Sequence, residues 1–250
     1  MAGHSKWANI KHRKARQDKA RSKIFTKIIR ELTVAAREGG GDPDANPRLS
    51  LAVENAKSAN MPKDNIDRAI KKGTGELEGE SYEEVTFEGY GPGGVAYFVE
   101  CTTDNNNRTV SEIRNIFGKQ GGNLGTNGSV AFLFDQKGYV TLKTEGLDEE
   151  EVMLTAIDAG AEDFKTEEEF YQITTAREDL FAVRKALEET GYHVENAELQ
   201  RVPQTEVDVD ESTAISNLKL MEKLEEADDV TNVFTNMNMT DEVIALAENL

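Results

Sequence analysis

A single cysteine, a single tryptophan and only five prolines stand among the 250 residues of this chain, and no long apolar run occurs anywhere in it. Each scarcity excludes something. One cysteine, Cys101, cannot build an internal disulfide framework, and it fits a reducing compartment. The absence of any apolar stretch near the roughly 20 residues that span a bilayer excludes a transmembrane helix, and the N-terminus lacks the apolar core of a secretory signal. A cytoplasmic protein with no membrane partner is expected. Hydrophobic residues at 38% and charged residues at 30% are too apolar for a disordered chain and too polar for a membrane one.

Enzyme motifs are equally scarce. There is no phosphate-binding G-x-x-x-x-G-K-[ST] loop, no G-x-S-x-G elbow, no H-E-x-x-H and no paired C-x-x-C. "GYGPGG" matches G-x-G-x-x-G through Gly89, Gly91 and Gly94, but it joins two expected strands, so no helix N-terminus would receive a pyrophosphate. It reads as a turn. "DNNNRTV" resembles the start of a calcium loop, yet Arg108 stands where an oxygen ligand is needed, so the segment reads as a helix cap. Arg108 is left as a candidate anion contact. His4 and His12 lie in a cationic segment without further ligands, and the carboxylates are too many to single out an acid and base pair. The chain is read as non-enzymatic, with no cofactor and no metal.

What is present is charge, unevenly placed. The net charge is −18, but residues 1–37 carry eleven basic side chains against Asp18 and Glu31, a balance of +9 that leaves −27 for the rest. A segment that positive on a body that negative attracts a polyanion at one end and repels it elsewhere. Lys11 to Lys23, taken as one helix, would point its bases all round the axis with only Ala15 and Ala20 as apolar contacts. Such a helix buries almost nothing and is expected to need phosphates to settle. Neutralising about six of them would give log K a salt slope near −5. Trp7 either stacks on a base or sugar or anchors the segment on its own domain. A presequence would share the charge, but cleavage would remove an element the domain needs. A membrane-surface helix would bring more bulky apolar residues than Trp7 and Ile10.

Periodicity organises the remainder. From Ser22, read as an N-cap, Ile24, Phe25, Ile28, Ile29, Leu32, Ala35 and Ala36 fall within an arc of roughly 140°. Lys23, Lys27, Arg30 and Arg37 form a basic stripe opposite. Asn46 and Pro47 begin a second helix, and a third runs from Pro62 to Gly73. After the polar linker "TGELEGES" the period changes to two: Val85 and Phe87 alternate with acids, and "VAYFVECTT" is a strand whose Val95, Tyr97, Val99 and Cys101 face the core. A helix after "DNNNRT" and a strand "VAFLF" follow. From Gly138 the order is strand, helix, strand, strand, helix, strand, the ferredoxin-like arrangement, and a helix at 213–226 and the strand "VTNVFT" close the chain. The expected fold is α+β, with an N-terminal three-helix domain and two α+β domains, one ferredoxin-like and inserted in the other. The expected boundaries are 1–79 for the basic arm and helical domain, 80–136 with 204–250 for the discontinuous middle domain, and 137–203 for the insert.

Three long segments also carry a family resemblance. "AGHSKWANIKHRKARQDKARSKIFTKIIREL", "NPRLSLAVENAKSANMPKDNIDRAIKKGTGE" and "YEEVTFEGYGPGGVAYFVECTTDNNNRTVSEIRNIFGKQGGNLGTNGSVAFLF" are similar to the YebC/PmpR family of bacterial proteins, which has relatives among mitochondrial translational activators. The resemblance implies three domains, with an acidic surface outside the first. It also implies a regulator that binds DNA to act on transcription, or a translation factor that binds ribosomal RNA and relieves stalled ribosomes. Carried onto this chain, the expected phosphate contacts are Lys6, Lys11, Arg13, Lys14, Arg16, Lys19, Arg21 and Lys23, with Trp7 and His12 between them. Lys27 and Arg30 extend them along the helix.

Overall fold

A computed structural model of the chain describes residues 18–79, 81–167 and 169–248, the side chains of 18–23 and 248 excepted. Three helices come first: α1 (Asp18–Gly39), α2 (Pro47–Ser58) and α3 (Lys63–Gly73). Ser22 does not cap α1; it lies inside a helix already formed at Asp18. Lys, Ala and Arg are all strong helix formers, so nothing between Asp18 and Ser22 stops the helix. Asn46 caps α2 as expected, its side-chain oxygen accepting from Leu49 N at 3.1 Å. Its amide nitrogen donates to the carbonyls of Ala35 and Gly40, both at 2.8 Å, so one buried side chain closes the end of α1 and starts α2.

Two four-stranded antiparallel sheets follow. The first contains β1 (Glu83–Tyr90), β2 (Ala96–Thr103), β3 (Asn123–Leu124) and β8 (Val230–Thr235), in the order β3-β1-β2-β8. β1 and β2 form a hairpin across Pro92–Gly94, where Gly93 and Gly94 take positive φ of 74° and 77°. The "GYGPGG" match is therefore a turn. α4 (Asn106–Lys119) is capped by Asn105, which accepts from Arg108 N at 3.1 Å, and α7 (Glu211–Glu226) by Asp210. α8 (Asp241–Glu248) ends the described chain.

β2 is apolar from Ala96 to Val99 because both its faces are covered there. Val95, which leads into it, Tyr97, Val99 and Cys101 enter a core with Phe117, Leu220, Met221 and Leu224, while Ala96 and Phe98 meet Val130 and Phe134 on the other side. Burial pushes the Cys101 thiol up to about 12, which keeps it a protonated packing residue.

The second sheet has the order β5-β6-β4-β7, from β4 (Phe134–Lys143), β5 (Ala161–Thr166), β6 (Phe170–Ala176) and β7 (Val194–Pro203). With α5 (Glu149–Asp158) after β4 and α6 (Leu180–Glu189) after β6, this is the split βαβ topology. Val140, Leu142, Ile173, Val183 and Leu187 form its core, and Leu51 of α2 packs against it. The segment "VAFLF" is not a strand along its length: Ala131–Leu133 is a 3-10 turn and β4 starts at Phe134. β8 pairs with β2, so the first sheet draws strands from both sides of the second in sequence.

By contacts the described residues form two compact units, one drawn from 18–31, 79–135 and 202–248, the other from 32–78 and 136–201. The assignment of α1 changes from the first to the second between Glu31 and Leu32.

Candidate nucleic-acid interface

Of the expected contact residues, Lys6, Trp7, Lys11, His12, Arg13, Lys14 and Arg16 lie outside the described residues. Lys19, Arg21 and Lys23 are on the first two turns of α1, with side chains outside the description as well. Lys27 and Arg30 are placed, and they do not form an open basic stripe. Lys27 Nζ donates to the carbonyl of Glu225 at 3.4 Å. Arg30 is 13% exposed: Nη2 pairs with Asp229 Oδ1 at 3.2 Å, and Nη1 donates to the carbonyls of Thr102, at 3.2 Å, and Asp228. Its guanidinium carbon also lies 5.4 Å from the centre of the Tyr82 ring. The reason is local. β2 and the loop before β8 end in backbone carbonyls and an acid that a planar, multiply donating guanidinium satisfies together. Arg37 is exposed on the same helix.

Asp229 is the centre of this cluster, with 3% of its side chain exposed. Its Oδ2 accepts from Thr109 Oγ1 at 2.7 Å, Arg108 Nη2 at 2.8 Å and Thr103 Oγ1 at 3.1 Å. Burial pushes the carboxyl up, but the bonds from Arg108, Thr109 and Thr103 outweigh it and hold the group below the usual aspartate range. Arg108, expected from its sequence setting as a candidate anion contact, is already committed: it also meets Asp104 at 2.6 Å. No spacing rule could have paired Asp229 with Arg30 and Arg108, because strand pairing between β2 and β8 brings them together.

Exposed bases occur elsewhere on the helical segment, at Lys57, Lys63, Arg68, Lys71 and Lys72. α3 turns Ile66 and Ala69 inward and leaves Arg68, Lys71 and Lys72 on its opposite side. Gly73 seats this helix against α1: a Cβ there would stand 2.4 Å from the carbonyl of Thr33 and 2.8 Å from Ala36 Cβ. Backbone approach that close needs glycine.

A second feature has no signature in the sequence. Glu88, on the outward, acidic register of β1, is 3% exposed. Its Oε1 accepts from Gly128 N at 2.6 Å, and its Oε2 from Val130 N at 2.6 Å and Ala131 N at 2.8 Å. The loop after β3 folds over this face of β1 and supplies the amides that make a buried carboxylate tolerable.

Among the described residues no group of three or more His, Cys, Asp or Glu is placed to hold a metal ion, and no helix is long and apolar enough to cross a membrane.

Comparison with known proteins covers nearly the whole chain. Residues 5–76 match the TACO1/YebC protein N-terminal domain, and residues 82–237 match the TACO1/YebC second and third domain. A protein of Persephonella marina named "Probable transcriptional regulatory protein" is 57% identical over 98% of each chain. One of Geobacter sulfurreducens with the same designation is 54% identical, covering 97% of this chain and 98% of that one. The crystal structure of a conserved hypothetical protein from Aquifex aeolicus superposes with a TM-score of 0.82 at 51% identity, over 88% of this chain and 91% of that chain.

Proposed function

Since the chain belongs to the TACO1/YebC family, we propose that it is a non-enzymatic cytoplasmic regulator that acts on transcription by holding DNA on its basic N-terminal segment. The observation that carries this is the charge division, +9 over residues 1–37 against −27 over the rest. Lys6, Lys11, Arg13, Lys14, Arg16, Lys19, Arg21 and Lys23 supply phosphate contacts, and Trp7 and His12 lie among them. Arg30 is not among the contacts, because its guanidinium is used inside the fold. Relatives named as transcriptional regulatory proteins support the reading.

A second reading is favoured by the same inward-turned Arg30. With it turned inward, the described side chains of α1 offer no row of base readers, and recognition by shape and phosphate suits ribosomal RNA as well as DNA. In that case the protein is a ribosome-associated translation factor that relieves stalling.

Reversing Lys11, Arg13, Lys14 and Arg16 to Glu is expected to abolish binding of any nucleic acid at low salt. Unchanged affinity rejects both readings. Co-sedimentation of the unmodified protein with ribosomes, compared with its retention on promoter DNA at matched salt, separates the two.

A further inference from the structure

Residues 120–134 contain no charged side chain, in a chain where 30% of residues are charged. This stretch runs from the end of α4 through β3 and the glycine-rich loop to the start of β4. It is uncharged but not buried. Phe132 is 67% exposed, the most exposed of the large apolar side chains among the described residues, and Tyr90 beside this loop is 37% exposed. Thr126 and Asn127 at the loop tip are exposed, as is Asn123 at its start.

The loop is also held firmly. The buried Glu88 carboxylate takes the three amides of Gly128, Val130 and Ala131, the Glu88 carbonyl accepts from Gly125 N at 2.7 Å, and Tyr90 Oη donates to the carbonyl of Ser129 at 3.0 Å. On either side of Phe132, Ala131 and Leu133 pack against Ala96, Phe98, Val130 and Phe134. Phe132 is therefore left outside on a turn whose two neighbours are anchored inside. An aromatic ring fixed in water by five hydrogen bonds and two packed neighbours is a preorganised contact.

We infer that this loop is a second, uncharged contact that receives an unpaired base of the bound nucleic acid, with the Phe132 ring as the stacking surface and the Asn123 and Asn127 amides available to the base edge. The inference rests on the nucleic-acid reading above. The chemistry selects this occupant. A phosphate-rich strand is repelled by a body of charge −27, and residues 120–134 add no charge of their own to that repulsion, while the Glu88 carboxylate beneath them is buried under three amides. Aromatic faces take any unstacked base, while amide side chains can reach the Watson–Crick edge of a base only where that edge is unpaired. A duplex buries those edges, so the site favours single strands.

The test uses the full chain and measures affinity for a single-stranded oligo(A), as RNA and as DNA, for an abasic strand of the same length, and for a duplex. Phe132→Ala is expected to weaken oligo(A) binding by about 5- to 150-fold. It should leave the abasic strand and the duplex unchanged and keep the salt slope, because no charge is removed. Phe132→Trp should restore or exceed the original affinity, and both variants should melt as the unmodified protein does. Oligo(A) affinity unchanged by Phe132→Ala, or an equal loss on the abasic strand, overturns the base contact. Neither outcome touches the phosphate reading, which fails only if the four-residue charge reversal leaves binding intact.

Discussion

At the scale of single residues, Asp229 shows how a buried charge is kept. Two guanidinium groups and two hydroxyls surround it, and Arg30 and Arg108 depend on it in turn. Asp229→Ala leaves Arg30 facing Thr102 and Asp228 with its charge uncompensated, so the fold should lose about 3 kcal/mol in denaturant titration. The pH dependence follows from the direction of the shift. A carboxyl held below its unfolded value of about 3.9 stabilises the fold above that pH, and this contribution disappears as the pH falls through the folded-state value. Asp229→Asn should therefore flatten the acid limb of the stability profile and leave its neutral plateau lowered. Helical spacing alone sets Arg30 on an open stripe, since spacing reports a face but not what covers it. The acid that covers it arrives with β8, from near the other end of the chain.

Secondary-structure elements were legible to the extent that their own side chains set them. Asn46 and Pro47 announce α2, Gly73 ends α3, and the alternation from Val95 to Cys101 marks β2. Elements that exist through tertiary contact were not legible. β3 is two residues long and persists because Asn123 and Leu124 pair with Tyr90 and Gly89. Likewise "VAFLF" has the composition of a strand, but Val130 and Ala131 give their amides to Glu88, and the chain turns there before β4 begins. The loop from Gly125 to Ala131 should consequently depend on one side chain. In Glu88→Ala, the amides of Gly128, Val130 and Ala131 are expected to lose hydrogen-exchange protection together, while those of β2, paired on both sides, keep theirs. Uniform loss of protection across the first sheet would instead make Glu88 a determinant of the whole sheet.

Over the whole molecule, charge is divided by position in the chain, and counting bases and acids along the sequence is enough to reveal the division. Residues 1–17 contribute Lys6, Lys11, Arg13, Lys14 and Arg16 and no acid, so a chain beginning at Asp18 goes from −18 to −23. Loss of five phosphate contacts should reduce the salt slope of duplex binding by roughly 4 to 5, and affinity at physiological salt should fall to background. Stability is the second readout, and it decides between the two roles open to Trp7. Among the described residues every element from α1 to α8 lies within 18–248, and the truncated chain should melt where the full chain does if Trp7 meets the nucleic acid. A lowered melting temperature would assign Trp7 to packing on its own protein. The binding loss would then have to be measured again with the tryptophan kept and the five bases alone replaced by Gln. Such a replacement removes charge without removing the anchor, and a salt slope reduced by the same roughly 4 to 5 would show that phosphate neutralisation, not anchoring, carries the affinity.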